Sequence, residues 1–254
     1  MITLKTETEV KKMRAAGKVA AAILKKLAEA SIPGTSTLQL NTIAENEIKK
    51  AGMKAGFKTV ENYQFAICTT PNEEVVHGLP SSYKLKRGDI ISIDLGVMNE
   101  GLHTDVATSF EVKSKDDKGP VSFANAHFLE DGKKTLEKAI NLVKDGTRVG
   151  DISNLINREI KGHGFSIVKE LTGHGVGYTL HEDPLIPGFG KKGTGPILRE
   201  GMTIAVEVIY NRGNGKVALL PDNWTIVSQD GSLAAVFEHT MLVTKKGPVV
   251  LTQE

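Results

Sequence analysis

Two aspartates lie inside apolar stretches, where a charge needs a reason: Asp94 between Gly88 and Val97, and Asp105 between His103 and Val112. Strand alternation puts Ile91, Ile93, Leu95 and Val97 on one face and Ser92 and Asp94 on the other. In the second stretch Val106, Thr108, Phe110 and Val112 oppose Asp105, Ala107 and Ser109. Met98 to Gly101 reads as a tight hairpin. With its centre between Asn99 and Glu100, Asp94 and Asp105 are expected directly across from each other. Opposed Cβ atoms stand roughly 4.5–5.5 Å apart, and like charges so placed repel unless something positive sits between them. Ser92, Ala107 and Ser109 are small enough to leave space, and that face carries no lysine or arginine. A bound cation is the simplest remedy; the alternative is a pair of solvated aspartates on an exposed face.

Glu207, between Val206 and Val208, and Glu238, between Phe237 and His239, interrupt the most apolar stretches of the C-terminal half. Either alone would be read as a strand glutamate pointing to water. His174 sits among Gly173, Gly175 and Gly177, which permit close approach of another group. Four carboxylates and one imidazole form an oxygen-rich set suited to divalent ions such as Mn, Co, Fe or Zn rather than to a thiolate-type structural zinc site. Four negative charges balance two dications. Such a pair, typically ~3.5–4 Å apart, lowers the pKa of a shared water and clamps a tetrahedral intermediate, which is the chemistry of hydroxide attack on an amide.

The elements that must position these residues fall into two similar sets. Thr6 and Glu9 make a capping box, and Val10, Met13, Gly17, Ala20 and Leu27 follow at helical spacing, so a helix is expected from Thr6 to about Glu29. Pro33-Gly34 ends it, and a second helix is expected from Leu38 to about Ala51. Leu136, Ile140 and Val143 mark a third helix, ending before Asp145-Gly146, and Ile152, Leu155, Ile156 and Ile160 mark a fourth. Gly34-Thr35 and Glu47-Ile48 recur as Gly146-Thr147 and Glu159-Ile160, both 112 residues on, and Gly56-Phe57 recurs as Gly164-Phe165. Each helix pair precedes stretches with the partial alternation of half-buried antiparallel strands, at 90–97, 103–112, 202–210 and 233–243. Two like halves, about 1–115 and 121–254, within a single catalytic domain 1–254 are the economical reading. Ser114 to Pro120 is expected to be a loop.

Composition narrows the function classes. The 254 residues carry 32 Lys and Arg against 30 Asp and Glu, scattered rather than blocked, which argues against a dedicated nucleic-acid binder. Cys68 is the only cysteine, which excludes an internal disulfide framework and fits a reducing compartment. The first residues lack an apolar signal-peptide core, and no stretch approaches a membrane span. A soluble, cytoplasmic protein is expected.

Taken in order, Asp94, Asp105, the His174 glycine motif, Glu207 and Glu238 resemble the type I (bacterial-type) methionine aminopeptidases, an α+β family with the pita-bread fold. Cys68 to Gly78, His181 to Pro184, Gly201 to Thr203 and Phe237 to Thr240 also resemble that family, so the likeness spans the chain. The resemblance implies an antiparallel sheet covered by helices, and removal of the N-terminal methionine from nascent chains whose second residue is small. It implies that Asp94 and Glu238 bridge two metals, Asp105 completing one site and His174 with Glu207 the other. It further implies that His77 and His181 are catalytic histidines lining the cleft, that Glu207 can shuttle a proton, and that Tyr63, Cys68 and Trp224 hold the methionine. Read without it, His77 after Val75-Val76 is better taken as a core histidine. Val60 and Leu180 stand where the family often has aromatic residues, and Val208 where it often has proline. The implied partners are nascent polypeptides and the ribosome surface, with a monomeric state and no nucleic-acid substrate or membrane. Two competitors share the fold: proline-specific peptidases, which usually carry an extra N-terminal domain, and catalytically inert interaction proteins, against which the complete ligand set argues.

Overall fold

The computed structural model describes residues 2–253. Helix α1 (Glu7–Ala30) starts at the expected capping box, Thr6 accepting from the Glu9 N–H while the Glu9 carboxylate accepts from Thr6 N. Helix α2 (Thr37–Lys50) has an equivalent box made by Ser36 and Gln39. Helix α3 (Phe123–Ile140) begins well before Leu136 and stops earlier than expected, leaving Val143 in the turn that follows; helix α4 is Val149–Gly162.

The strands are β1 (Lys54–Ala55), β2 (Ile67–Pro71), β3 (Glu74–Val76), β4 (Ile90–Asn99), β5 (Leu102–Glu111), β6 (Ser166–Ile167) and β7 (Thr172–Gly175). They continue with β8 (Glu182–Pro187), β9 (Thr203–Asn211), β10 (Val217–Leu219), β11 (Ile226–Ser228), β12 (Ala234–Thr244) and β13 (Gly247–Val250). The large sheet runs β1-β4-β5-β12-β9-β7-β8, with β2 added on β4, β6 on β9 and β13 on β12. A small sheet, β10-β11-β3, stands apart from it.

Both helix pairs cover one face of the large sheet. Ile91, Ile93, Leu95 and Val97 pack with Leu24, Leu27, Leu40 and Ile48 from α1 and α2. Ile204, Val206, Val208 and Phe237 pack with Phe128, Leu136, Ile152 and Ile156 from α3 and α4. Alternation then turns Asp94, Asp105, Glu207 and Glu238 to the opposite face. Strands β4, β5, β9 and β12 are buried along nearly their whole length instead of on one face only. The expectation of half-buried strands fails because the second face is also covered, by the site cavity and the β3-β10-β11 sheet.

Several of the residues matched in sequence also match in local structure. Gly34 and Gly146 both take positive φ, Thr35 and Thr147 hydroxyls donate to Ala30 O and Leu142 O, and the ion pairs Lys26–Glu47 and Lys138–Glu159 tie each helix pair together at the same 112-residue offset. The Gly56-Phe57 match does not belong to it. The counterpart of Gly164 is Gly52: both have positive φ and both donate to the carbonyl three residues earlier, whereas Gly56 is right-handed.

The two halves meet where β5 pairs β12, a ladder of only Ala107 with Glu238 and Val106 with His239. On either side hydroxyls replace ladder bonds. Ser109 Oγ donates to Val236 O and accepts from Val236 N, and Thr240 Oγ1 donates to Asp105 O and accepts from Asp105 N. Each half thus reaches across the seam in the same way.

The β4–β5 register corrects the expected pairing of the aspartates. Asn99 faces Leu102, so the turn is Glu100-Gly101, and Asp94 faces Ala107 while Asp105 faces Gly96. Glu100 and Gly101 have φ of 48° and 83°, the two left-handed positions a two-residue hairpin of this type requires. The turn lies one residue further along than expected because Gly101 supplies the second of those positions without steric cost. Asp94 and Asp105 therefore share a face as diagonal neighbours, not as an opposed pair.

Candidate metal centre

The acidic residues form two rows across the sheet. One runs Asp94, Ala107, Glu238, Glu207, and Glu207 and Glu238 are directly opposed. The next contains Asp105, whose backbone meets Thr240, then Ala205 and His174. Ala107, Ala205 and Thr240 between the ligands are small, which leaves the rows open. Gly173 and Gly175 let β7 press close, since a Cβ there would stand 2.6 Å from Ala205 O and 2.2 Å from Asp183 O.

Asp105, His174 and Glu238 are buried and offer ligand atoms all within 4.8 Å of one another. His174 Nε2 lies 3.9 Å from an Asp105 oxygen. Its Nδ1 is 2.8 Å from Gly175 O and must donate to it, which fixes the tautomer and leaves the Nε2 lone pair facing the carboxylates. Asp94 and Glu207 flank this trio, opening partly onto the same cavity.

Burial and like charge dominate the electrostatics of the site. Burial first, and neighbouring carboxylates second, push Asp94 and Glu238 well above the usual carboxylate range. Burial raises Asp105 to about 7, and burial with Asp105 nearby raises Glu207 to about 8. His174 is lowered to about 4, mainly by burial, so it is neutral at pH 7 and able to serve as a ligand. One oxygen each of Asp94 and Asp105 is buried without a hydrogen-bond partner. Among the described residues no lysine or arginine lines the cavity. Uncompensated carboxylates with orphaned oxygens and a neutral imidazole among them fit a bound divalent cation.

The cavity, about 300 Å³, brings together the ten candidate site residues: the five above with His77, His181, Tyr63, Cys68 and Trp224. His77 is half-buried at positive φ (59°) just after β3, and burial lowers it to about 4. The His181 ring packs edge-on against His174 at 4.4 Å, and burial lowers it as well. At the apolar end Tyr63 stacks edge-on with Trp224, centroids 4.9 Å apart, and its hydroxyl donates to Ile67 O and reaches Cys68 Sγ at 3.1 Å. Val60 and Leu180 line this end too. Val208 faces Phe237 in the ladder on the helix-covered side, so it does not reach the cavity.

Phe57, Leu171, Leu185 and Ile209 also line the cavity and were not anticipated. In the sequence Phe57 carries only the repeat match and its nearness to Tyr63 as signals. Ile209 lies two residues after Glu207 on its face, so alternation alone could have found it. Leu171 and Leu185 carried no periodic signal.

A family model described as metallopeptidase family M24 matches residues 11–245. The chain belongs to that family. Among M24 members it is similar to methionine aminopeptidase 1 of Bacillus subtilis, 42% identical over 253 residues with 100% of both chains covered. It is also similar to methionine aminopeptidase of Clostridium perfringens, 40% identical over 252 residues with 99% of each covered. The crystal structure of methionine aminopeptidase from Thermotoga maritima superposes with a TM-score of 0.95 at 40% identity, covering 100% of both chains. Prolidase from Pyrococcus furiosus shares the fold, with a TM-score of 0.78 at 21% identity over 99% of this chain and 65% of its own. Together these assign the M24 pita-bread fold that the sequence resemblance implied.

Proposed function

We propose that this chain, acting as one catalytic domain over residues 1–254, hydrolyses the first peptide bond of new polypeptides to release N-terminal methionine when the second residue is small. The observation that carries the reading is a single cavity with two unlike ends. Four carboxylates and a neutral imidazole form one end, and an aromatic and thiol wall around Tyr63, Cys68 and Trp224 forms the other. That wall suits an unbranched thioether, which favours contacts at ring edges. Relatives named methionine aminopeptidases match at 38–42% identity across their length, which supports the same substrate class.

The five residues would together hold two ions; because Asp105, His174 and Glu238 offer atoms within 4.8 Å of one another, these three would serve the same ion, unlike the expected split of Asp105 from His174, and Asp94 and Glu207 would complete the set. Two divalent ions held there would polarise the scissile carbonyl and supply a nucleophilic water at neutral pH. His77 and His181, kept neutral by burial, donate N–H to the oxyanion or the leaving nitrogen. Glu207, at the open edge of its row, takes the proton released by the attacking water and returns it to the departing amine. The protein works in the cytoplasm as a monomer near the ribosome surface; among the described residues no helix is long and apolar enough to cross a membrane.

Metal-titrated protein should cleave Met-Ala-Ser far faster than an Xaa-Pro peptide. Preference for the latter would move the chain to the prolidase branch, and binding of divalent ions with no cleavage of either would favour an interaction protein.

A further inference from the structure

One buried charge has no part in the chemistry above. The Lys5 side chain, in the segment before α1, is 0% exposed and pairs with a Glu182 side chain at 7%. A lysine is almost never so covered unless paired. Its Nζ donates to Glu182 Oε2 at 2.5 Å, and the Thr3 hydroxyl donates to the same oxygen at 2.6 Å. The other oxygen, Oε1, accepts the backbone N–H groups of Tyr178 at 2.6 Å and Thr179 at 3.2 Å. One carboxylate thus closes the turn 178–182 with one oxygen and ties it to the N-terminal segment with the other. His181 lies inside that turn, and its carbonyl accepts from the Thr179 hydroxyl.

The segment is itself anchored. Lys5 N donates to Gly201 O at 2.7 Å, the Tyr178 hydroxyl donates to Glu9 in α1, and Lys5 Nζ stands 5.2 Å from the Tyr178 ring centre. Gly177 makes the room, since a Cβ there would stand 2.2 Å from Lys5 Cε. Residues 3–5 form a strap across the back of the turn that presents His181 to the cavity.

We propose that Lys5, acting through Glu182, is a positioning residue that holds His181 at the scissile bond; this rests on the role given to His181 above. Without the ammonium, Glu182 keeps a covered charge with no counterion, and the turn opens to hydrate it. Displacing a donor by about 1 Å can cost on the order of 100-fold in rate.

The test uses the full chain loaded with divalent metal and compares wild type with Lys5→Met, Lys5→Arg and Glu182→Gln on Met-Ala-Ser. Lys5→Met should lower kcat roughly 10- to 100-fold with KM little changed, and Lys5→Arg should recover most of the loss. Glu182→Gln should resemble Lys5→Met, while divalent-ion affinity by calorimetry stays at the wild-type value in all three. Amide exchange across 177–182 should quicken in Lys5→Met and not in Lys5→Arg. The proposal is overturned if Lys5→Met turns over normally, or if it loses kcat, metal affinity and stability together without rescue by arginine. A wild-type chain that leaves Met-Ala-Ser intact refutes the role of His181 instead, and the exchange measurement then still decides whether the strap holds the turn.

Discussion

The N-terminal half sets its acids on a tight hairpin, and the C-terminal half sets its acids on two strands separated by residues 212–233. The frames are alike, yet matched positions carry different side chains. Asp94 faces Ala107 in one ladder, and Glu207 faces Glu238 in the other. The direct opposition of like charges expected for the aspartates is thus found between the glutamates. The C-terminal excursion also carries β10, β11 and Trp224, for which the two-residue turn of the N-terminal hairpin has no equivalent. Similar frames supply the rows, and the differences between them supply the opposed acids and the aromatic end of the cavity.

The largest effect should come from breaking the opposed pair. Glu238→Gln is expected to lower kcat on Met-Ala-Ser on the order of 10³-fold, with the circular dichroism spectrum unchanged. A variant with normal kcat would remove Glu238 from the metal set.

The next tests whether the clustered buried acids strain the metal-free chain. Asp105 and Glu207 titrate at about 7 and 8 when folded, against ordinary values of 3.8 and 4.5. Between those limits the folded state binds the extra protons, so these groups make stability fall as pH rises. His77 and His174, lowered to about 4, act oppositely, but only below their ordinary value of 6.5. Above pH 6.5 the opposing contribution of the histidines fades while the carboxylates go on losing protons, so the Tm of chelator-treated protein should fall towards pH 8. Glu207→Gln should flatten the slope, and divalent metal should raise Tm by mass action. A Tm that climbs over this window would contradict the buried like-charge arrangement.

Trp224→Ala tests the excursion. KM for Met-Ala-Ser should rise about tenfold while kcat changes less, because an apolar contact to the side chain is lost and the ligands are untouched. An unchanged KM would take Trp224 out of the methionine wall. Smallest is the hairpin: Gly101→Val places a branched side chain at positive φ and should destabilise by about 1–2 kcal/mol by chemical denaturation, with kcat of the folded enzyme intact. No loss of stability would mean that Gly101 does not set the register.

Much was legible along the chain. The Thr6 capping box and the periodicity of α1 and α2 are local patterns, and each is satisfied by bonds within a few residues. The faces of Asp94, Asp105, Glu207 and Glu238 follow from alternation, because successive strand side chains must point oppositely. Register was not legible to the residue: a one-residue shift in turn centre moved Asp94 from Asp105 to Ala107, and only the conformational demand of Glu100-Gly101 settles it.

Joining β5 to β12 lay beyond any local pattern. That seam rests on Ser109 and Thr240 reaching backbone groups more than a hundred residues away in sequence. The same holds for the strap, since nothing near Lys5 announces Glu182. Residue types and spacing decide which side chains can bind a cation and which face they take, because helix and strand periods are properties of the backbone alone. Packing decides which of them meet, which become uncharged by burial and which glutamate opposes which, because those depend on distances set only when the two halves close on each other.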